Sequence, residues 1–287
     1  MPSTFREKAY FLNSIFLVLL LSGCGNMRKP LDPVVLEMAK VGKKYYEERC
    51  KNVAGEKIYR VVPNVEGILL MKVRKNRGQA QFEDPLWSGA AFANEDYDDD
   101  YLRSFLGYER AAGQPDGKPG IIAPNNRGYI ADDKRAGDKP GYSFVDVIDP
   151  KDGARYRIRS VKKIVGRKDA SAHNVRIELE NDQNYDLNVY RYILEKSPAT
   201  KPLPRYGVTY EDYVIAEERS IGVASSTVKV IDLSTNAVLG EMLRYAYRPR
   251  GLKSTDWSTH QHCPHHSVGN NSSTRKFVDQ VLIPKGE

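Results

Sequence analysis

The stretch YSFVDVIDPKDGARYRIRSVKKIV, residues 142–165, decides the fold. Its first part, Tyr142 to Asp149, is rich in apolar and β-branched residues, which is typical of a strand. Pro150 to Gly153 has the composition of a turn. From Arg155 to Val165, apolar and basic residues alternate, and this is the period of a strand with one buried face. The stretch therefore predicts a β-hairpin.

The rest of the chain continues this pattern. Sequential strands joined by tight turns favour antiparallel pairing. We expect a mainly β fold of the α+β class, with antiparallel sheet or sheets. Further strands are predicted at 57–62, 67–73, 175–179, 185–194, 213–218, 223–233 and 237–248.

Helices are predicted at the two ends of the folded part. Asp32 and Pro33 have the character of an N-cap and a first helical residue, and apolar residues then recur at helical spacing to about Asn52. A short C-terminal helix is expected at 276–282, capped by Ser273 or Thr274.

One long segment shows no periodicity. Residues 109–141 contain six glycines and four prolines. A stretch of this length and composition is either a functional loop or a disordered excursion.

The N-terminus has the features of an export signal. Arg6 and Lys8 precede an apolar run at 11–21, and small residues follow it up to Cys24. The sequence Leu-Ser-Gly-Cys at 21–24 resembles the lipobox of bacterial lipoproteins. The resemblance implies a signal peptide at 1–23, cleavage before Cys24, and a lipid on that cysteine. A tether at 24–31 and a single mostly-β domain at 32–287 would follow, and Gly25 after the cysteine favours the outer membrane.

The predicted lipoprotein signal implies a cellular compartment and, with it, a class of partner. The domain would be held at the membrane by its N-terminal lipid, on the periplasmic side of the outer membrane. Nucleic acid is not an expected partner there. The formal net charge of +7 instead suits lipid headgroups, lipopolysaccharide, peptidoglycan or an acidic protein.

The cysteines point to one disulfide. With Cys24 carrying lipid, Cys50 and Cys263 remain, and such a pair in an oxidising compartment usually bonds. The bond would join the first helix to the C-terminal part of the chain.

Four of the five histidines lie in HQHCPHH, residues 260–266. Zinc or copper could bind there through His260, His262, His265 and His266. A disulfide at Cys263 would remove a thiolate ligand, so a structural corner beside a disulfide is the competing interpretation.

Two charged segments are candidate partner-binding surfaces. The first is an acidic run with two tyrosines that could anchor a basic partner. The second is a set of alternating arginines that share one strand face. Their residues are Glu95, Asp96, Tyr97, Asp98, Asp99, Asp100 and Tyr101, and Arg155, Arg157 and Arg159. The alternatives, in which neither segment binds a partner, are a solvated acidic loop and an exposed sheet face.

No familiar catalytic motif is present, and no catalytic residue is assigned. G-x-S-x-G, H-E-x-x-H, C-x-x-C and a glycine-rich phosphate loop are all missing. The sequence therefore predicts a lipid-anchored, non-catalytic protein-binding module, such as an inhibitor, an immunity protein or an assembly accessory. A zinc- or copper-binding lipoprotein and an envelope hydrolase are the alternatives, the second with His260, His262 and Asp256 in a pocket.

Overall fold

The computed structural model describes residues 32–110, 128–200, 202–249, 256–264 and 270–286. The described helices are α1 (Pro33–Asn52), α2 (Gln79–Glu83), α3 (Asp98–Leu106), α4 (His173–Asn181), α5 (Ala216–Ser220) and α6 (Ser273–Val281). Short 3-10 turns occupy Ser88–Phe92, Trp257–Thr259 and Asn270–Ser272.

The described strands are β1 (Gly55–Ile58), β2 (Val62–Val65), β3 (Gly67–Leu70), β4 (Tyr108–Glu109), β5 (Ile130–Ala131), β6 (Phe144–Ile148), β7 (Arg155–Arg167), β8 (Asn188–Pro198), β9 (Tyr206–Tyr213), β10 (Val223–Asp232), β11 (Ala237–Tyr247), β12 (Gln261–Cys263) and β13 (Leu282–Pro284). The mainly β, α+β class is confirmed. So are the helix at the start of the domain and the short helix near its end.

One nine-stranded sheet organises the chain. Its strand order is β1-β11-β10-β9-β3-β6-β7-β8, and β12 also pairs with β11. The predicted hairpin is confirmed as β6 and β7, with Val145 opposite Ile158. It occupies one end of the sheet together with β8.

The sheet is mixed rather than wholly antiparallel, because β3 runs parallel to both of its neighbours, β6 and β9. The other pairings in this sheet are antiparallel. The chain between β3 and β6 contains α2 and α3, and a parallel pair needs a long crossover of this kind.

Each face of the sheet has its own core, because side chains alternate along a strand. On β10, Ala224 and Val228 face the larger core, which also takes in buried residues of α3 and α6. Val223 faces a smaller cluster with Tyr46 of α1 and Tyr247 of β11.

A close approach holds α1 against this second face. A side chain at Gly42 would collide with the backbone oxygen of Ile221, so glycine is required there. Asp32 accepts a hydrogen bond from the backbone N–H of Val34, as expected of an N-cap. Cys50 and Cys263 form the predicted disulfide, which joins α1 to β12.

Two strand predictions are wrong in kind. Residues 175–179 belong to α4, where Val175 and Leu179 lie four apart and turn to the same side of the helix. Residues 213–218 fall where β9 ends and α5 begins. In both places a short alternation of apolar residues fits a helix as well as a strand.

Part of the glycine- and proline-rich segment lies within the described residues. There β5 pairs with β4, and Lys139 exchanges backbone hydrogen bonds with Glu109. Arg110 forms ion pairs with Asp133 and Asp138. Residues 111–127 lie outside the described residues.

Candidate functional site

The alternating arginines of β7 have different surroundings. Asp146 on β6 is fully buried, and Arg157 donates to its two carboxylate oxygens at 2.7 Å and 3.0 Å. Arg155 lies 3.2 Å from the same carboxylate. Arg159 is exposed. Two of the three predicted partner-binding arginines therefore neutralise a buried charge of the fold itself, which leaves Arg159 facing solvent.

The acidic run is divided between core and surface. The side chains of Glu95 and Tyr101 are buried. Asp96 accepts hydrogen bonds from side chains just before α6. Asp98 to Asp100 form the first turn of α3, where the helix dipole favours negative charge. The part of the run that faces solvent is Tyr97 and the exposed aspartates that follow it.

The half-buried Asp98 and the exposed Asp99 line a cleft at the carboxyl ends of β3, β6 and β9. These are the mutually parallel strands of the sheet, and such an edge is a common place for ligands. The cleft has a volume of about 620 Å³. Its charged lining is Lys72, Lys75, Lys151, Asp98, Asp99 and Asp149. No histidine, cysteine or serine stands among the described residues that line it.

A buried ionic cluster, Arg74, Glu95, Asp212, Ser226 and Arg244, lies on the larger-core face of the sheet. The register of β9, β10 and β11 aligns Asp212, Ser226 and Arg244 in one row across three strands. Ser226 donates to Asp212 at 2.6 Å, and Arg74 pairs with Asp212 at 3.3 Å. Arg74, Glu95, Ser226 and Arg244 are buried and Asp212 is largely so, and the cluster is therefore a packed part of the core.

Glu95 supplies a negative charge that interacts with both arginines. Its carboxylate oxygens accept the backbone N–H of Thr274, at 3.2 Å and 3.3 Å, in the first turn of α6. Burial raises the pKa of Glu95 to about 7, and the positive charges of Arg74 and Arg244 oppose this rise. The predicted surface carboxylate thus caps a helix inside the protein.

The positive charge of the buried Arg244 side chain is stabilised by nearby groups. Its guanidinium lies 4.6 Å above the ring of Phe92. Within the part of the chain that the structure describes, none of its three side-chain nitrogens has a hydrogen-bond partner. Burial lowers the pKa of Arg244 to about 10, and Glu95 opposes this fall.

The histidine segment begins beside this cluster. His260 and His262 are buried, with ring centroids 5.2 Å apart. Burial, and then the charge of Arg244, lower the pKa of His260 to about 3. The imidazole is therefore neutral at ordinary pH, as a metal ligand must be, but the nearby guanidinium disfavours a cation at this pair.

The disulfide also removes Cys263 as a thiolate ligand. Among the described residues, no group of three or more potential ligands is arranged to hold a metal ion. His265 and His266 lie outside the described residues, so zinc or copper binding stays a prediction. Asp256, His260 and His262 do not line the cleft at the ends of β3, β6 and β9, and the hydrolase alternative gains no support from that cleft.

The ribbon formed by β7 and β8 is largely exposed, and the sequence analysis assigned no function to its part beyond Arg159. Every residue from Lys162 to Arg167 is exposed, and β8 has no buried residue. Exposed apolar side chains nevertheless lie on it and on the connecting segment; they are Ile164, Val165, Ile177, Tyr190 and Ile193. The length of β7 is the signal that could have revealed this exposed ribbon. β7 has 13 residues and its neighbour β6 has five, so the far part of β7 extends beyond β6.

In comparisons with known proteins, no family model, curated protein or solved structure matches this chain. None of the helices in the described ranges combines the length and the hydrophobicity of a membrane span. Cys24 and the tether at 24–31 lie outside the described residues.

Proposed function

We propose that this chain is a lipid-anchored protein of the cell envelope that binds another protein and catalyses no reaction. Its partner meets the tip of the ribbon, the surface formed by 162–167, α4 and the start of β8. An inhibitor, an immunity protein or an assembly accessory would each work in this way. The lipid on Cys24 would hold the domain at the outer membrane, facing the periplasm.

The observation that carries the proposal is the exposure of apolar side chains at this tip. Ile164 is 60% exposed, and Val165 and Ile177 are also exposed. A two-stranded ribbon gains little stability from such residues, because a hairpin alone is marginal in water. Exposed apolar side chains that adjoin one another mark surfaces that a partner covers, and Ile164 and Val165 are neighbours in the chain.

Basic side chains lie close in sequence to these apolar residues. Lys162, Lys163, Arg167 and Arg176 are all exposed in the same part of the chain. An apolar centre with a charged rim is the usual composition of a protein interface. Glu178 and Glu180 of α4 are exposed in the same part of the chain, so a partner would meet charges of both signs.

The anchor is tested by replacing Cys24 with serine in the full chain. We expect the wild-type chain to sediment with membranes and to incorporate a labelled fatty acid, and the variant to do neither. A variant that stays bound to membranes and resists carbonate washing would contradict the anchor, without bearing on the ribbon.

The binding surface is tested with a photo-crosslinking amino acid at Ile164 in the full chain, in the cells that produce it. Leu86 is the matched control, because it is 59% exposed and lies outside the ribbon. We expect one dominant crosslinked product from Ile164 that contains a second, different protein, and no such product from Leu86.

The same product should disappear when Ile177 is replaced by aspartate, since a carboxylate at the apolar tip opposes burial. Equal patterns from Ile164 and Leu86 would refute the binding surface. Products that contain only further copies of this chain would also refute it.

A further inference from the structure

The outer edge of β8 is an open strand edge. β8 is the last strand in the sheet order and is 11 residues long. Among the described residues, no strand pairs with its outer side. A long edge with exposed apolar residues is a template for pairing with another chain. At the opposite side of the sheet, β1 and β12 have only four and three residues.

The sequence of β8 is complementary to itself when two copies run antiparallel about Ile193. In that register Arg191 lies opposite Glu195 of the second copy, and Glu195 lies opposite the second copy's Arg191. Tyr190 then lies opposite Lys196 of the second copy, and Ile193 opposite its own counterpart. Such reciprocal contacts are what a two-fold symmetric interface requires.

The strand faces agree with this register. In an antiparallel pair, directly opposite residues share a face of the sheet. Arg191, Ile193 and Glu195 are alternate residues and share one face of β8. Two copies joined edge to edge therefore extend the same face from one chain into the other.

The ribbon by itself leaves a like-charge pair on this face. Lys163 of β7 lies directly opposite Arg191 of β8, and such pairs destabilise a sheet. Glu195 forms an ion pair with Lys163 within the ribbon, and both side chains remain about half exposed. Glu195 of a second copy would bring a further carboxylate next to Arg191 and relieve the repulsion.

One contact touches the backbone of this strand. The Arg103 side chain donates a hydrogen bond to the carbonyl oxygen of Tyr192 at 2.9 Å. A carbonyl oxygen has two lone pairs and can accept a second bond from an incoming strand. The contact is therefore compatible with strand addition at β8.

We propose that two copies of this chain pair through their β8 edges, antiparallel and two-fold symmetric about Ile193. The two sheets then become one continuous sheet across the dimer. This interaction goes beyond the proposed function, since it uses the outer edge of β8 and leaves Ile164 and Ile177 at the ribbon tip for a different protein.

A charge-reversal experiment on the full chain in detergent tests the register. Arg191→Glu alone and Glu195→Arg alone each create two repulsive pairs in the dimer. We expect each to lower the dimer association constant by about tenfold in native mass spectrometry. Mixing the two variants restores both attractive pairs, so the mixture should form heterodimers at the wild-type level.

Arg176→Glu, on α4, is the matched control because it makes the same charge change on an exposed residue outside the register. It should leave dimerisation unchanged. The Arg191→Glu variant should also remain folded, since the new carboxylate would lie opposite Lys163 and remove the like-charge pair.

A second measurement places a cysteine at the two-fold axis of the dimer and is made in native membranes. Residues directly opposite in antiparallel strands have Cα atoms about 4.5–5.5 Å apart, which a disulfide can span. The full chain with Ile193→Cys should give a reducible dimer on mild oxidation. Neither wild type nor Ile177→Cys should do so.

Absence of the Ile193→Cys dimer in membranes, together with a monomeric wild-type chain in detergent, would overturn the proposal. So would a dimer that is insensitive to Arg191→Glu or is not restored in the mixture. Each of these results would leave the heterologous crosslink from Ile164 unaffected, so the two proposals fail separately.

Discussion

The interpretation of Glu95 differs most between the sequence and the structure. It opens an acidic run of the kind that solvated loops carry, yet its side chain is buried and caps α6 from 178 residues upstream of the start of that helix. The cap prediction for α6 invoked Ser273 or Thr274, but no side-chain cap bond comes from its own N-terminal residue. A distant residue supplies what local sequence was expected to supply.

We predict that Glu95→Gln removes part of the pH dependence of folding. The pKa of Glu95 is raised from 4.5 to about 7 in the folded protein. The folded state therefore retains a proton that the unfolded state loses, and this contribution to stability declines as pH rises from about 4.5 to 7. The neutral amide cannot contribute it.

The measurement is the free energy of unfolding by chemical denaturation from pH 4.5 to 8. The wild type should lose stability relative to Glu95→Gln as pH rises through this window. Glu180→Gln, at an exposed position, should follow the wild type throughout. A difference between wild type and Glu95→Gln that is constant with pH would disprove the assignment.

At the scale of elements, the β6–β7 hairpin fixes one end of the sheet through a buried ion pair. Asp146 and Arg157 are directly opposite on the two strands and are both buried. Arg157 also stacks over Phe144, 3.5 Å from the ring centroid. The arginine that alternation assigns to a basic surface is part of the packing between the strands.

We predict that Asp146→Ala is strongly destabilising, because it leaves the buried charge of Arg157 without its carboxylate. The expected loss is about 3–5 kcal/mol in the free energy of unfolding. Chemical denaturation measures it. Asp99→Ala, an exposed carboxylate in the first turn of α3, should cost no more than about 1 kcal/mol. Similar losses in the two variants would contradict the role of Asp146.

At the scale of the whole molecule, one covalent link joins distant parts of the chain. The Cys50–Cys263 disulfide connects residues 213 positions apart. It lies beside the cluster of tyrosines and Val223 that holds α1 on the sheet. In the chain-entropy account, closing so long a loop removes much conformational freedom from the unfolded state.

We predict that the double variant Cys50→Ala, Cys263→Ala loses up to about 5 kcal/mol of stability. A reductant should lower the melting temperature of the wild type and have no effect on that of the double variant. A wild type whose melting temperature is indifferent to reductant would refute a stabilising disulfide.

The sequence by itself determined the α+β class, α1 with its Asp32 cap, the hairpin around Pro150 to Gly153, and the disulfide pair. The class, the helix and the hairpin follow from periodicity and turn composition, which depend on residues close together in the sequence. The disulfide pair follows from the cysteine count, because only Cys50 and Cys263 remain once Cys24 is assigned to the lipid. The sequence was ambiguous where a segment is short, as at Val175 to Leu179, since five apolar and polar residues in alternation suit both a strand and a helix.

Only the tertiary structure decided which charged residues face solvent. Arg157 and Glu95 look like surface residues in sequence, and each is buried because a partner of opposite charge comes from another element. It likewise decided that β3 lies parallel between β6 and β9, and that β8 ends the sheet with an open edge. Strand order depends on which faces meet across long connections, and a single local pattern does not encode that choice.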